Sequence, residues 1–498
     1  MKRLYPVYML LCLMMALGSA SCDKSSSSSD DYYGAYSTSS TLISGFSLGE
    51  DDDVLENLDS IHFVIDPDRH IIYNPDSLPK GTDVSHLTVS MTFPHTVNSA
   101  EFTVSGGKVM TDTTFYYTST TTDSIDFTGN VQLAVVSNDG SHKRIYRIEV
   151  NVHTVEPDSI YWDSSLKRDL PGTTSATADS KTVKLGSKWI CLLNNGGTYT
   201  LSTADAPNQK QWNSITCNLG FTPQLQSLTA TTTDLYMLST SGELYRSADQ
   251  GTTWTTTGQT WYSIKGSYAD RVLGVTSTGG TYSHDEYPRP ASFSPSAIEE
   301  GFPVSGSSTM VAASNTWADE NQAMIVGGVM ADGQYTGSVW GYDGSCWARI
   351  SNDVNWRHLP GLKDATLIKY YTYDVSTTNY STTRYETWFV MGGLLKDGSV
   401  NRNVYSSRDQ GLLWEKADSL YQLPASVPSF YAAQAFVNEE TLSAGTLPWK
   451  ASSTTRTQHS SEWQCPYIYL FGGCGANKMP LNTIWRGVLM RMAMRPVY

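Results

Sequence analysis

Aromatic and cationic side chains in two stretches of the chain could receive a ligand. Trp356 and Arg357 lie in Asn355-Trp356-Arg357-His358, and Tyr371 and Tyr373 in Tyr370-Tyr371-Thr372-Tyr373. Tyr and Trp faces stack on sugar rings or peptide side chains and lose little conformational freedom in doing so. The tyrosines alternate with polar residues and continue to Tyr380 and Tyr385, which reads equally as cross-strand packing in a long hairpin. Metal chemistry is poorly supplied. Six of the nine histidines lie before residue 154 without metal-ligand spacing. His284, His358 and His459 are widely separated and read as solvated or hydrogen-bonded surface residues. Cys191, Cys217, Cys346, Cys465 and Cys474 form neither a disulfide framework nor a zinc pattern. Cys465 and Cys474 could bridge, or could be buried small apolar side chains. No catalytic, metal-binding or cofactor-binding residue is expected.

Two segments share the pattern Ser-x-Asp-x-Gly-x-x-Trp: Ser247, Asp249, Gly251 and Trp254, then Ser407, Asp409, Gly411 and Trp414. The carboxylate can accept backbone N–H groups across a turn, the glycine permits positive φ, and the tryptophan packs between sheets, so their role is structural. Three glycine pairs, each ending an apolar strand, are followed twelve residues later by an aromatic: Gly328 and Trp340, Gly393 and Tyr405, Gly473 and Trp485. No helix follows to offer phosphate its N-terminus. Three looser strand-turn-strand units precede them, Ile190–Tyr199, Leu235–Tyr245 and Val272–Tyr282. Six repeats over about 340 residues average about 57 each, which predicts a β-propeller with loop insertions. Six blades follow from this count. Seven stay open if Ser159–Trp162 supplies a strand that closes the ring against Val488–Met494.

The rest of the chain suggests an address. A basic start, Met1-Lys2-Arg3, an apolar run from Leu4 to Leu17 and small residues before Cys22 read as a lipoprotein signal peptide over residues 1–21, or as an ordinary secretory signal with Cys22 incidental. The run is shorter than the ~20 residues of a spanning helix. Ser25–Ser29 and Asp30-Asp31 fall in a polar tether over residues 22–40. A net charge of −14 and pI near 5.1 argue against nucleic acid as a partner. All fourteen tryptophans lie from Trp162 onward, which separates a body at 41–154 from one at 155–498. The first shows period-two apolar runs at Ile61–Ile65, Leu87–Phe93, Val131–Val135 and Tyr146–Val152. Asn138-Asp139-Gly140 forms a hairpin turn between the last two, and the whole fits a β-sandwich. The fold class is all-β.

The Ser-x-Asp-x-Gly-x-x-Trp segments resemble the Asp-box of sialidases and related propellers. The glycine pairs resemble kelch repeats, although the final unit has only Trp485 where Trp347 and Trp414 serve the other two. Ile43-Ser-Gly-Phe46, the run Leu78–Val84, and Asp139-Gly140 before Tyr146–Val152 resemble small immunoglobulin-like domains next to lipid anchors. As a whole the chain resembles a family of outer-membrane lipoproteins of Gram-negative gut anaerobes, of no established activity, with such a domain before a kelch/Asp-box propeller. The resemblance implies a lipid on Cys22 and a place at the cell surface or periplasmic face. A sialidase would need three arginines, a Tyr/Glu pair and an acid Asp. Its Arg-Ile-Pro signature is absent, and Tyr287-Pro288-Arg289-Pro290 lies mid-propeller. The expectation is a lipid-anchored extracytoplasmic binding protein that captures a glycan or glycoprotein at one face of the propeller. The alternatives are a glycoside hydrolase of sialidase-like architecture without the arginine triad and a structural component of an outer-membrane assembly.

Overall fold

The computed structural model describes residues 38–75, 77–120, 123–153, 159–174, 178–315, 320–351, 357–375, 382–443 and 463–489. Cys22, the serine tether, Trp356, Tyr380 and His459 lie outside them. The chain divides into two compact units, one of Met1–Ser77 and Thr82–Asn151, the other of Leu78–Gly81 and Val152–Tyr498. Among the described residues both are built from strands and short 3-10 turns. No helix there is long and apolar enough to cross a membrane.

In the first unit six strands run in the order Val64–Asp66, Ile71–Tyr73, Lys143–Glu149, Asn130–Ser137, Val97–Ser105, Thr113–Tyr116, and Gly45–Leu48 pairs separately with Val89–Thr92. Val131, Leu133 and Val135 alternate inward, as do Tyr146 and Ile148, which is the period that builds a one-sided apolar face. The hairpin at Asn138-Asp139-Gly140 joins these strands in antiparallel register, with Gly140 at φ 68°. Ile71–Tyr73, by contrast, pairs in parallel with Arg147–Glu149. Val97–Ser105 escapes the apolar pattern because Asn98, Ser99 and Glu101 interrupt it, yet Ala100, Phe102 and Val104 are buried.

Among its described residues the second unit holds six sheets of four or five strands, each assembled mainly from consecutive chain segments, and a two-stranded pair of Phe430–Tyr431 with Cys474–Gly475. Their innermost strands are Asp179–Leu185, Thr229–Ala230, Ser263–Tyr268, Pro303–Ser305, Thr366–Val375 and Gln434–Leu442. Every sheet is buried on both faces. In the first, Ile190 and Leu192 join a core with Leu235 and Met237 of the second, whereas Trp189, Cys191 and Leu193 join a core with Tyr467, Tyr469 and Phe471 of the sixth. Further cores lie between second and third, third and fourth, fourth and fifth, and fifth and sixth sheets. The sixth therefore packs on the first, and the sheets close into a β-propeller. Each fully buried Leu, Ile or Phe contributes roughly 1.5–3 kcal/mol of transfer free energy, which makes these cores the main stabilising force.

Closure is made by the propeller's own first strands. Ile160–Trp162 pairs with Thr483–Leu489 in the register Gly487–Trp162, Val488–Tyr161, Leu489–Ile160. Arg168–Asp169 extends the same edge. The closing strand anticipated from Ser159–Trp162 is thus part of the sixth sheet. Cys465 and Cys474 are separate thiols, because Cys465 faces the core beside Tyr467 while Cys474 lies past the end of that strand.

Candidate functional site

A ring of hydrogen bonds joins the inner edges of the sheets. Gln226 Nε2 donates to Asp179 Oδ1 (2.9 Å) and the Ser180 carbonyl (3.0 Å), tying second to first. Ser267 Oγ donates to the Ala230 carbonyl (2.7 Å) and Ser263 Oγ to that of Val304 (2.5 Å), tying third to second and fourth. The Asp364 N–H donates to the Gly306 carbonyl (2.7 Å), and the Ala432 N–H to the Asp364 carbonyl (2.8 Å). Gln434 Oε1 accepts the Thr182 N–H at 3.0 Å and completes the circuit.

The glycine pairs place residues on this ring. Gly327 and Gly328 have φ of 65° and 118°, and the Gly328 N–H reaches the Leu362 carbonyl at 2.7 Å. A Cβ on Gly327 would stand 2.5 Å from that same oxygen. Only glycine lets the segment before the fifth innermost strand cross so closely. That segment continues into Lys363 and Asp364, whose side chains lie over Gly306.

Charged side chains on non-neighbouring sheets influence one another's titration across the inner edges. Burial pushes the Lys181 ammonium down to about 8, opposed by Asp364 and Asp179. It pushes Lys265 down to about 7, opposed by Asp364. Burial also raises the Asp364 carboxyl, against the pull of Lys363, Lys181 and Lys265. Sheets one, three and five are not adjacent, so these interactions cross the axis. Lys363 Nζ lies 3.9 Å from Asp364 Oδ2. Asp179 is raised by burial and held back by the Ser180 N–H, the Gln226 amide and Lys181. Lys265 is 3% exposed, and its Nζ has no hydrogen-bond partner among the described residues. Sequence reading missed this cluster, because its members sit singly in strands far apart along the chain.

The residues singled out from sequence go elsewhere. Tyr371 is 9% exposed, stacks on Tyr370 at 4.4 Å and lies under the Arg384 guanidinium at 4.3 Å. It belongs to the core between fifth and sixth sheets, and Tyr373 packs against that core. This is the cross-strand packing reading, and it leaves Tyr371 no open face for a sugar. Arg357 is exposed, and its carbonyl accepts the Trp414 N–H at 3.1 Å. His284, expected at the surface, is buried, with Nε2 at 2.7 Å from Glu299. Arg289 is held bidentate by Asp285 (2.8 and 2.6 Å), and Arg271 lies 2.8 Å from both oxygens of Glu286. Among the described residues no group of three or more His, Cys, Asp or Glu could hold a metal ion.

The two Ser-x-Asp-x-Gly-x-x-Trp segments fold into the same turn between the outer strands of their sheets. Ser247 Oγ donates to Asp249 Oδ1 (2.8 Å) and accepts the Gly251 N–H (2.9 Å). Asp249 Oδ1 accepts the Thr253 N–H (2.9 Å), and Trp254 Nε1 donates to the Gly251 carbonyl (3.0 Å). Ser407, Asp409, Gly411, Leu413 and Trp414 repeat these bonds at 2.7, 2.9, 3.0 and 3.0 Å. Both tryptophans pack against the preceding sheet.

Residues 156–497 match the DUF6242 beta propeller domain, and residues 36–150 match the DUF6242 N-terminal domain, a domain of unknown function. The chain belongs to the DUF6242 family. No curated protein matches it significantly. Among solved structures it is similar to YCF48 bound to D1 peptide (14% identity, 72% of this chain and 89% of that one, TM-score 0.27). It is also similar to the fucose-specific lectin from Aleuria aurantia (12%, 68% and 99%, TM-score 0.32) and to BamB from Moraxella catarrhalis (10%, 72% and 78%, TM-score 0.25). At such scores the propeller assignment rests on the six sheets and the family match.

Proposed function

We propose that this DUF6242 chain is a lipid-anchored extracytoplasmic binding protein. In this reading Cys22 carries a lipid in the outer membrane, the polar residues after it form a tether, and the first unit is an immunoglobulin-like spacer. A six-bladed propeller of kelch-like glycine pairs and Asp-box turns then captures a glycan or glycoprotein at the end of the axis where the innermost strands begin. One observation carries it: Asp179 and Asp364 sit on a hydrogen-bonded ring that joins the inner edges of the sheets, where Lys181, Lys265 and Lys363 act on them, so a polar surface is preorganised before any ligand arrives. Glycan-array screening of the chain without residues 1–22 tests it. Retention of a defined glycan, weakened by Asp364→Asn, supports the reading. Retention of no glycan or glycoprotein, or retention unaffected by changes at the axis, removes it.

Hydrolysis of a glycoside is the second reading, favoured by the two carboxyl groups at the axis that burial raises, Asp179 and Asp364. General acid–base work needs such raised groups. Binding is preferred because Asp179 already accepts two hydrogen bonds and Lys363, Lys181 and Lys265 pull the Asp364 carboxyl toward its charged form. Turnover of an aryl glycoside, abolished by Asp364→Asn, would reverse that preference.

A further inference from the structure

A cleft in the first unit gathers polar groups that have no partner. It holds about 590 Å³ and is lined by the hydroxyl segment Thr38–Thr41, Leu42, His95, His142 and Arg144, a size within the ~300–1,000 Å³ of small-molecule sites. The Asp139 N–H donates to the Thr38 carbonyl (3.3 Å) and the Tyr146 hydroxyl to that of Thr41 (3.2 Å), so the segment is strapped across the hairpin of Asn130–Ser137 and Lys143–Glu149. The inward row of the second of these strands runs Arg144, Tyr146, Ile148. Its first member is thus a guanidinium on the core side of the sheet.

Among the described residues Arg144 has no ion pair or side-chain hydrogen bond, nor has His95, and Thr38 Oγ1 is buried without a partner. Polar groups left unmet in this way cost free energy, an ionised one most of all. The guanidinium calls for an anion. No carboxylate among the described residues lines the cleft. In the hairpin turn, Asp139 Oδ1 accepts the Ser137 hydroxyl (2.6 Å) and the Ser141 N–H (2.9 Å) and hydroxyl (2.7 Å). Because the Ser141 hydroxyl gives its proton to Asp139, it accepts from His142 Nδ1, 2.6 Å away. His142 Nε2 is then an acceptor while the ring is neutral. The ligand must therefore accept at Arg144 and donate at His142.

We infer that this cleft binds a phosphomonoester. Near neutrality part of any population of such groups keeps a proton, the second pKa being about 6. One P–OH then donates to His142 Nε2, while the remaining oxygens accept the two-pronged hydrogen bond of Arg144 and the hydroxyls of Thr38–Thr41. Sulfate and carboxylates hold no proton there and meet Nε2 lone pair to lone pair. The ester comes from a soluble molecule or from a lipid headgroup, since Cys22, the proposed anchor, lies a short polar stretch before Thr38. The site belongs to the first unit alone and goes beyond the glycan reading of the propeller.

Glycerol 3-phosphate and sulfate, titrated calorimetrically at neutral pH into the full chain without residues 1–22, test the inference. Glycerol 3-phosphate binds, sulfate binds more weakly by roughly tenfold or more, and Arg144→Gln weakens glycerol 3-phosphate to the same extent. In the unaltered protein the imidazole resonances of His95 and His142 shift when glycerol 3-phosphate is added, and those of His284, in the propeller, stay in place. Sedimentation with phosphatidylcholine vesicles separates the two sources. Stronger retention by vesicles carrying phosphatidic acid than by those carrying phosphatidylglycerol, a diester, supports the headgroup, whereas binding of glycerol 3-phosphate alone supports the soluble ester. No response to either monoester, an unchanged response in Arg144→Gln, or sulfate binding as tightly as glycerol 3-phosphate overturns the inference. Each of these outcomes leaves a glycan-array result on the propeller as it was.

Discussion

Single side chains in this protein act through what burial does to their charge. Burial pushes Lys265 down to about 7 in the fold against about 10.4 in an unfolded chain, with the Asp364 carboxyl and the His284 ring as its titratable neighbours. The unfolded chain therefore binds more protons above pH 7, and stability rises with pH by at most about 1.4 kcal/mol per unit for this one group. Lys181, at about 8, adds the same sign. The rise should show between pH 7 and about 8.5. At higher pH the buried thiols Cys191 and Cys465, pushed up to about 12, pull the other way. Denaturant midpoints across that window should flatten in Lys265→Met, whose baseline stability should not fall, since an apolar chain replaces an unpaired buried ammonium.

Asp126 works in the opposite sense. Burial would raise its carboxyl, but the Thr128 hydroxyl and the N–H groups of Met110, Val109 and Thr128 outweigh it and hold it at about 2. Its contribution to the first unit is present above pH 4 and lost as pH falls toward 2. Asp126→Asn should cost roughly 1–3 kcal/mol at pH 7 and shallow the acid limb of the unfolding curve. At this scale the sequence is readable only where spacing is local. The Ser-x-Asp-x-Gly-x-x-Trp turns close within eight residues and announce themselves. Lys181, Lys265 and Asp364 are ordinary residues until the ring brings three sheets to one axis. Tyr371 misleads for a related reason, since alternation of tyrosine with polar residues is the same for an open face and for a core between sheets.

The glycine pairs decide how elements approach one another. Gly392 has φ 64°, and a Cβ there would stand 2.4 Å from the Phe430 carbonyl. Gly392→Ala should therefore cost roughly 2–5 kcal/mol, from backbone strain and overpacking together. Gly398, also at positive φ (83°) but with open space around it, supplies the control: its alanine variant should lose only about 1 kcal/mol. Equal losses in thermal unfolding would mean that the close approach does not matter. Repetition makes these elements legible in the amino-acid sequence, because each glycine pair recurs at the same distance from an aromatic. Val97–Ser105 is harder to see, because its polar residues hide a strand whose register is set by its neighbours. Parallel pairing of Ile71–Tyr73 likewise has no local signature.

Across the whole propeller, stability depends on the sixth core meeting the first. Trp162 is 4% exposed in the core between fifth and sixth sheets, and Gly487 leaves room for it, since a Cβ there would touch its ring at 3.0 Å. Trp162→Ala should cost about 3–5 kcal/mol. If the ring unfolds as one body, amide exchange at Leu235–Leu238, in the second sheet, should accelerate in step. Loss of protection confined to the sixth sheet would show instead that the blades melt independently. The proposed address has its own check: Cys22→Ser should move the protein from the membrane fraction to the soluble one.

Because Ile160–Trp162 and Thr483–Leu489 lie side by side in one sheet, the propeller's two chain ends meet at a seam. Where that seam falls is a matter of gene order rather than of packing. A circular permutant with these ends linked and a new opening cut in the turn at Gly279-Gly280, where both glycines have open space around them, should keep all six cores and refold to the same ring.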